Sequence, residues 1–266
     1  MTDILLLPHN RLLTSLPAEV QRRLAPDLKA VHLPQGTVLH GGGQTPSKVY
    51  FPAGAIVSLS CLTESGDCAE VSQVGSEGLV GVSALMPGNS SPTVAIVQGA
   101  GYAYMLNGQR LRDELGHSPA MLMLLLRYTQ TLMVQMAQMA VCNRHHSIDQ
   151  QLSRWLLRFD DHRPGQRLAI THEQIATMLG VRRENISRAT QKLHQLAVVR
   201  CGRSEITVLD RPRLERLSCE CYGAVHKGSE RLLAPPAAAP PDWQKSVITT
   251  LGRSGLPPQR TAAVTA

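Results

Sequence analysis

The sequence predicts an α+β fold in which a strand-rich front is followed by one long helix and a smaller, mainly helical back. Three observations support this prediction. Glycine and proline recur between short β-rich runs from residue 31 to about 107. Starting at Ser118, neither residue interrupts the apolar stretch between Pro119 in its first turn and about Arg144. Beyond that stretch, amphipathic helical patterns alternate with short strand-like runs. A chain of 266 residues is long enough for two modest domains.

The front, assigned to residues 15–116, is predicted to be an antiparallel barrel or sandwich. Its runs KVYFPAGAIVSLSCL, AEVSQVG, TVAIVQG and GYAYML are separated by turn residues, and several of them are rich in β-formers. The segment PAEVQRRLAPD before them predicts one short helix.

The stretch over 117–145 predicts a helix roughly 40 Å long, at about 1.5 Å per residue. Apolar residues recur along it at the alternating steps of a heptad, with Thr129 in register. One alternative is that this seam packs only on its own barrel. A helix this long and this apolar more often needs a second surface, so we expect a homodimer. The expected interface residues are Leu122, Leu125, Leu132, Met136 and Met139.

The back, assigned to residues 146–225, predicts a winged helix-turn-helix. DQQLSRWLLRF is an amphipathic helix, and RLAI is a short strand. Thr171 is placed to cap the next helix, with Gln174 completing a capping box, and Gly180 ends that helix. A second helix runs to about Leu196. VVRCGRSEITVLD then predicts two strands around a turn, and RPRLERLSCECYG predicts a final helix.

The second helix has two chemically distinct faces. Its inward positions follow i, i+3, i+4, i+7 spacing and are Ile186, Ala189, Thr190 and Leu193. Arg183, Glu184 and Arg188 then lie on the opposite face near the N-terminal end, the part of a recognition helix that meets base edges. Arginine can pair with guanine and glutamate with cytosine. A solvated face with an Arg–Glu pair is the alternative, but the capped first helix and the glycine turn favour DNA recognition.

The distribution of charge along the chain also favours DNA recognition by the back. The net charge of +7 divides into −1 for residues 1–143, +6 for residues 144–231 and +2 for the last 35 residues. A basic back behind a near-neutral front indicates that only the back meets a polyanion, although a basic domain can also serve solubility alone.

These segments resemble the Crp/Fnr family of bacterial transcription regulators. The resemblance is specific in ITHEQIATMLGVRRENISRATQKLHQLAVV and GRSEITVLDRPRLERLSCECYG, and weaker in LPQGTVLHGGGQTPSKVYFPAGAIVSLS, which is similar to the family's cyclic-nucleotide-binding-type β-roll. It implies a homodimer that binds double-stranded DNA, with RNA polymerase as a further partner and a small-molecule effector. It also implies that Arg183, Glu184 and Arg188 contact bases. The candidates for phosphate contact are Thr171, His172, Arg182, Asn185 and Ser187.

The effector cassette departs from the family pattern, which is a Gly-Glu pair followed by Arg-Ser or Arg-Thr. Gly81 is present, but Val82 stands in place of the glutamate, and Pro92-Thr93 in place of the second pair. Glu77 is nearby at the wrong spacing. Binding of cyclic AMP in the usual mode is therefore not expected, and the effector is unidentified.

Other functions have less support. A cupin-like metalloenzyme would need a His-x-His pair, whereas His32 and His40 are isolated. A regulatory or scaffold subunit without DNA activity would not need the basic helix. The six cysteines lack the spacing of a disulfide framework or zinc site; Cys219-x-Cys221 has no second pair at ligand spacing, and His145-His146 are expected to be solvated. We therefore expect no enzyme activity, metal or other cofactor.

The two ends of the chain complete the expectations. MTDILLLPHNR lacks the basic region of a signal peptide, and no apolar run is long enough to span a membrane, which indicates a cytoplasmic protein. Alanine and proline dominate residues 233–266, so a largely disordered tail is predicted there.

Overall fold

The computed structural model describes residues 9–86, 88 and 90–233, with side chains as far as Glu230. Two short helices, α1 (Arg11–Thr14) and α2 (Ala18–Leu24), come first, and a 3₁₀ turn over Ala25–Asp27 extends α2. The helix predicted over PAEVQRRLAPD is thereby confirmed. Apart from Leu233, the predicted tail lies outside the described residues.

Seven strands form a β-roll. They make two antiparallel sheets with the orders β1-β7-β3 and β2-β6-β4-β5. Apolar side chains such as Phe51, Val57 and Val97 are buried together in one core that both sheets share. The antiparallel architecture expected of the front is confirmed. The strands are β1 (Lys29–Leu33), β2 (Val38–His40), β3 (Lys48–Pro52), β4 (Ile56–Leu62), β5 (Cys68–Val74), β6 (Val94–Gly99) and β7 (Gly101–Asn107).

A helix of 27 residues leaves the roll. After α3 (Gly108–Leu115), the side chain of Ser118 caps the start of α4 (Pro119–His145). Two buried hydrogen bonds hold α4 against the roll. The Tyr128 hydroxyl donates to the Leu79 carbonyl at 2.7 Å, and the Ser72 hydroxyl donates to Oε1 of Gln135 at 2.6 Å. One face of α4 is therefore committed to its own domain.

The back of the described chain is a winged helix-turn-helix, as predicted. Its three strands form a sheet with the order β8-β10-β9. Trp155, Ile186 and Ile206 belong to its core, which also includes Ile56 from β4. The back therefore packs directly on the roll. Its elements are α5 (Ile148–His162), β8 (Leu168–Ala169), α6 (His172–Leu179), α7 (Arg183–Gln195), β9 (Val199–Gly202), β10 (Glu205–Val208), α8 (Arg211–Leu217) and α9 (Cys221–Leu233).

The single final helix expected over RPRLERLSCECYG is wrong, because α8 ends at Leu217 and α9 begins at Cys221. Ser218 adopts an extended backbone between them, with ψ of 172°, and its hydroxyl donates to the Glu215 carbonyl. α9 then lies along α4, where the Gln138 amide donates to Sγ of Cys221 at 3.1 Å. This long-range contact compensates for the break.

A buried charged group joins α5 to the roll. Arg158 Nη2 lies 3.6 Å and His162 Nδ1 3.4 Å from the carboxylate of Glu77. Burial opposes ionisation of Glu77, but His162 and Arg158 outweigh it and hold the pKa of this carboxyl below its usual value. The glutamate that stands near the effector cassette therefore serves to attach the winged helix-turn-helix to the roll.

We predict that Gly75→Ala destabilises this junction. A Cβ atom at Gly75 would overlap the buried His162 ring, with the ring Cγ only 2.7 Å away. Overpacking of this kind costs about 1–3 kcal/mol of unfolding free energy, which urea denaturation measures. Gly223→Ala in α9 is the matched control, because no atom lies within 4 Å of its added Cβ. Adding His162→Ala to Gly75→Ala should restore part of the lost unfolding free energy, because the overlapping ring is then gone. Equal unfolding free energies for the wild type and Gly75→Ala would contradict the close packing of Gly75 on His162.

Candidate nucleic-acid interface

The first helix of the pair is built by local chemistry. The Thr171 hydroxyl accepts from the backbone N–H of Gln174, whose Oε1 accepts from the N–H of Thr171 at 2.9 Å. This is the predicted capping box. At the other end Gly180 has φ of 64°, a left-handed conformation that favours glycine and turns the chain directly into α7.

The inward face of α7 is as the sequence predicts. Ile186, Ala189, Thr190 and Leu193 are all buried. The one polar group among them is satisfied, since the Thr190 hydroxyl donates to the Ile186 carbonyl at 2.7 Å. With this face used for packing, the opposite face is left to solvent or to a ligand.

That opposite face carries the predicted base-contacting residues. Arg183, Glu184 and Arg188 are exposed and lie in the first two turns of α7. Arg188 donates from Nη2 to Oδ1 of Asn185 at 2.6 Å, which orients its guanidinium along the helix. Two cations and one carboxylate thus lie together on an exposed helix start, where the helix dipole also favours an anion.

The predicted phosphate donors are not all free to donate. The Thr171 hydroxyl belongs to the capping box. His172 Nδ1 lies 3.0 Å from the Ser187 hydroxyl, so His172 and Ser187 connect α6 to α7. Burial, helped by the nearby charge of Arg183, lowers the pKa of His172, so its imidazole is neutral at pH 7. Arg182 is exposed and Asn185 half-buried.

The structure adds two basic residues that sequence reasoning did not select. Arg200 on β9 and Arg203 at the tip of the β9–β10 turn are both exposed. The turn, the start of α6 and Arg183 surround a hollow of about 230 Å³. The signal was present in the sequence, because Arg200 lies in the first of the two strands predicted there and Arg203 lies by the turn predicted between them.

The exposed face of α7 borders a cleft of about 870 Å³. Glu184, Asn185 and Arg188 line one wall, and the turn over Gly66, Asp67 and Cys68 between β4 and β5 lines the other. Contacts beside the cleft hold its walls together. The Gln35 amide donates to the Ala169 carbonyl at 2.7 Å, and a Cβ at Gly180 would lie 3.6 Å from that of Ala69.

The expected dimer seam on α4 needs a correction. Leu125, Leu132 and Met139 are 4%, 6% and 8% exposed, because they are buried within their own chain. Leu122 is 40% exposed and Met136 is half-buried. A second stripe is exposed. Each of its residues lies one position after a residue of the expected seam, so it follows the same heptad steps. It consists of Met123, Leu126, Gln130, Met133, Ala137 and Ala140.

The effector cassette carries no cation at the position expected for one. Pro92 is exposed, whereas Thr93 is buried with its hydroxyl 3.2 Å from that of Ser91. Val82 is half-buried at the start of a 3₁₀ turn, Val82–Leu85, and Gly81 before it has φ of 94°. A Cβ at Gly81 would lie 2.8 Å from the Lys48 carbonyl oxygen, so glycine is required there for packing.

The described chain is thus a β-roll joined by a long helix to a winged helix-turn-helix, the class of fold in which a helix-turn-helix domain is linked to a β-roll domain. Residues 150–217 match the family model of the Crp-like helix-turn-helix domain, so this part of the chain is a DNA-binding domain of that type. No curated protein matches the sequence. Within the part of the chain that the structure describes, no helix is both long and apolar enough to cross a membrane.

Solved structures share the whole architecture. A Crp/Fnr-family transcriptional regulator from Eubacterium rectale is 20% identical, with a TM-score of 0.61 over 77% of this chain and 96% of its own. FixK2 from Bradyrhizobium japonicum is 17% identical, with a TM-score of 0.61 over 72% and 98%. A Crp/Fnr-family regulator from Thermus thermophilus is 19% identical, with a TM-score of 0.59 over 71% and 98%. The fold is that of Crp/Fnr transcriptional regulators.

Proposed function

We propose that this protein is a sequence-specific DNA-binding transcriptional regulator that acts in the cytoplasm as a homodimer and has no enzyme activity. The observation that carries the proposal is the pair of faces on α7. Its apolar face is buried, and Arg183, Glu184 and Arg188 are exposed at its N-terminal end. Such a helix start enters the major groove in helix-turn-helix proteins, where arginine pairs with O6 and N7 of guanine and glutamate accepts from N4 of cytosine.

Phosphate contacts would come from the edges of this face. Arg182 and Asn185 are placed to donate to the backbone beside the helix start, and the exposed wing residue Arg203 to a neighbouring phosphate. Thr171 contributes more by capping α6, and His172 and Ser187 by joining α6 to α7, since their polar groups are already paired. These contacts position α7 and carry no sequence information themselves.

Dimerisation through the exposed stripe of α4 accounts for its composition. Leu126 is 49% and Met133 66% exposed in the single chain, an apolar surface that a second copy of α4 would cover. The heptad spacing of the stripe suits a two-stranded coiled coil. A two-fold axis along this seam would place two copies of α7 on half-sites about 34 Å apart, so the operator would be an inverted repeat.

Binding to DNA would also require the cleft beside α7 to open. The turn over Gly66–Cys68 stands opposite Glu184 and Arg188, where the major groove would have to enter. An effector that favours separation of the two walls would increase affinity for DNA. The effector and a contact with RNA polymerase are the remaining parts of the proposal, and the altered cassette argues against cyclic AMP in the usual mode.

Alanine at Arg183 or Arg188 should weaken binding to the operator by about 1–3 kcal/mol each. Genomic fragments selected by the purified protein would supply the operator, and anisotropy titrations at fixed salt would compare it with a scrambled duplex. Lys192→Ala is the matched control, since it removes one positive charge from the other end of α7. It should reduce affinity for both duplexes about equally. Equal losses on both duplexes for the arginine variants would make them phosphate contacts.

Leu126→Asp combined with Met133→Asp should convert the dimer to a folded monomer, because two carboxylates per chain would face each other across the seam. Sedimentation velocity measures the change, and operator affinity should fall with it. Leu62→Asp is the control, because this residue is 55% exposed and lies at the end of β4, outside the stripe. A double variant that still dimerises would exclude this stripe as the interface.

Cyclic AMP should not bind at micromolar concentration. A cyclic phosphate carries a negative charge, and its burial needs a fixed cation or several donors. Pro92 supplies neither charge nor a backbone N–H, and Val82 cannot accept from the ribose hydroxyl. The loss corresponds to several kcal/mol, on the order of a hundredfold or more in affinity. Calorimetry with cyclic AMP and cyclic GMP checks this; saturable micromolar heat accompanied by tighter operator binding would contradict it.

A further inference from the structure

Three thiols and an imidazole meet where α4 ends and α9 begins. Cys142, His146, Cys219 and Cys221 have their ligand atoms all within 4.8 Å of one another. We call these four residues the thiol–imidazole cluster. The three cysteines are free thiols and are buried, while the His146 side chain is 13% exposed.

The arrangement comes from two short sequence pairs that the fold brings together. Cys142 and His146 stand four residues apart at the end of α4, so they share one side of the helix. Cys219 and Cys221 lie at the break between α8 and α9, in a Cys-x-Cys pattern. More than seventy residues separate the two pairs, so the sequence alone shows only an isolated Cys-x-Cys.

Two distances within the cluster match the edges of a tetrahedral metal site. Sγ of Cys142 lies 3.6 Å from Sγ of Cys219, and Sγ of Cys221 lies 3.4 Å from Nδ1 of His146. Zinc bonds of about 2.3 Å to sulfur and about 2.0 Å to nitrogen give tetrahedral edges of about 3.8 Å and about 3.5 Å. A disulfide would instead need about 2.05 Å between sulfurs.

Groups around the cluster supply the outer contacts that metal sites use. Nε2 of His146, the nitrogen facing away from Cys221, lies 3.2 Å from a carboxylate oxygen of Glu220, which fixes the imidazole with Nδ1 toward the thiols. The Gln138 amide donates to Sγ of Cys221 at 3.1 Å, a contact that would stabilise a thiolate. Both partners orient the ligand atoms from outside the cluster.

A buried cation offsets the charge of the thiolates. The Arg154 side chain is 2% exposed, and its Nε finds no hydrogen-bond partner among the described residues. Arg154 and Cys221 line the same small hollow, so the guanidinium lies beside the cluster. Three thiolates with a divalent cation would leave one net negative charge, which Arg154 balances.

We propose that the thiol–imidazole cluster is a structural zinc site, with three thiolates and Nδ1 of His146 as a closed set of four ligands. Binding would release the three thiol protons, and burial leaves no side open for a substrate. Zinc would tie the α8–α9 break to the end of α4, where the long helix passes into the DNA-binding domain. The expectations of no metal and of a solvated His146 are revised accordingly.

Metal analysis of the full chain, purified under reducing conditions, should find about one zinc ion per chain. Cys219→Ser and Cys221→Ser should lose it, whereas the matched controls Cys201→Ser and His145→Ala should keep it. Glu220→Gln and Gln138→Ala should retain the stoichiometry and bind zinc about 10–100-fold more weakly in competition with a chromogenic chelator.

The unaltered protein provides a test that does not depend on the folding of variants. After zinc removal by a chelator under reductant, added Co²⁺ should produce the thiolate charge-transfer and tetrahedral d–d bands of a sulfur-rich site, and zinc should displace it. The unfolding temperature should fall on removal and recover on zinc addition. Neither readout involves DNA, so a failure of the proposed DNA recognition would leave both unchanged.

A metal-free protein that gives no cobalt bands would overturn the proposal. A Cys142–Cys219 disulfide formed readily by a mild oxidant, in protein that binds no metal, would also overturn it and identify the cluster as a redox pair. Zinc retained by both Cys219→Ser and Cys221→Ser would place the metal elsewhere in the chain.

Discussion

The contact between α4 and the β-roll determines where every other surface of the molecule lies. Tyr128 and Gln135, two turns apart on the same face, make buried hydrogen bonds to Leu79 and Ser72. A buried polar group that loses its partner costs about 1–3 kcal/mol, so these bonds resist rotation of the helix about its axis. With the rotation set, one heptad stripe faces the roll, the next faces solvent, and the last turn presents Cys142 and His146 toward α9.

The attachment of the DNA-binding domain depends on buried charge as well as apolar packing. Glu77 and Arg158 form an ionic contact between the β5 end of the roll and α5, with the His162 ring packed beside them, and Ile56 extends the apolar core across the same junction. Breaking such a contact leaves a buried charge uncompensated, which makes the junction specific in geometry. The cleft beside α7 follows from it, because α6 is held close to β5.

Together these contacts suggest how the proposed functions share the molecule. The proposed recognition face of α7 lines a cleft whose other wall belongs to the roll, while the proposed zinc site joins α9 to the end of α4. A conformational change in the roll would be transmitted to α7 through packed helices that have few hinges. The break at Ser218–Glu220 is one such hinge, and a metal bound there would hold it in a single arrangement.

The sequence by itself determined the features that rest on local chemistry. The capping box at Thr171, the left-handed Gly180, the inward positions of α7 and the hairpin wing all follow from residues a few positions apart. Tertiary structure alone decided which stripe of α4 is buried, since Leu125 and Leu126 are equally apolar and only contact with the roll distinguishes them. It also decided the meeting of Cys142 and His146 with Cys219 and Cys221, because closing a loop of more than seventy residues depends on the packing of α9 on α4, which no local pattern records.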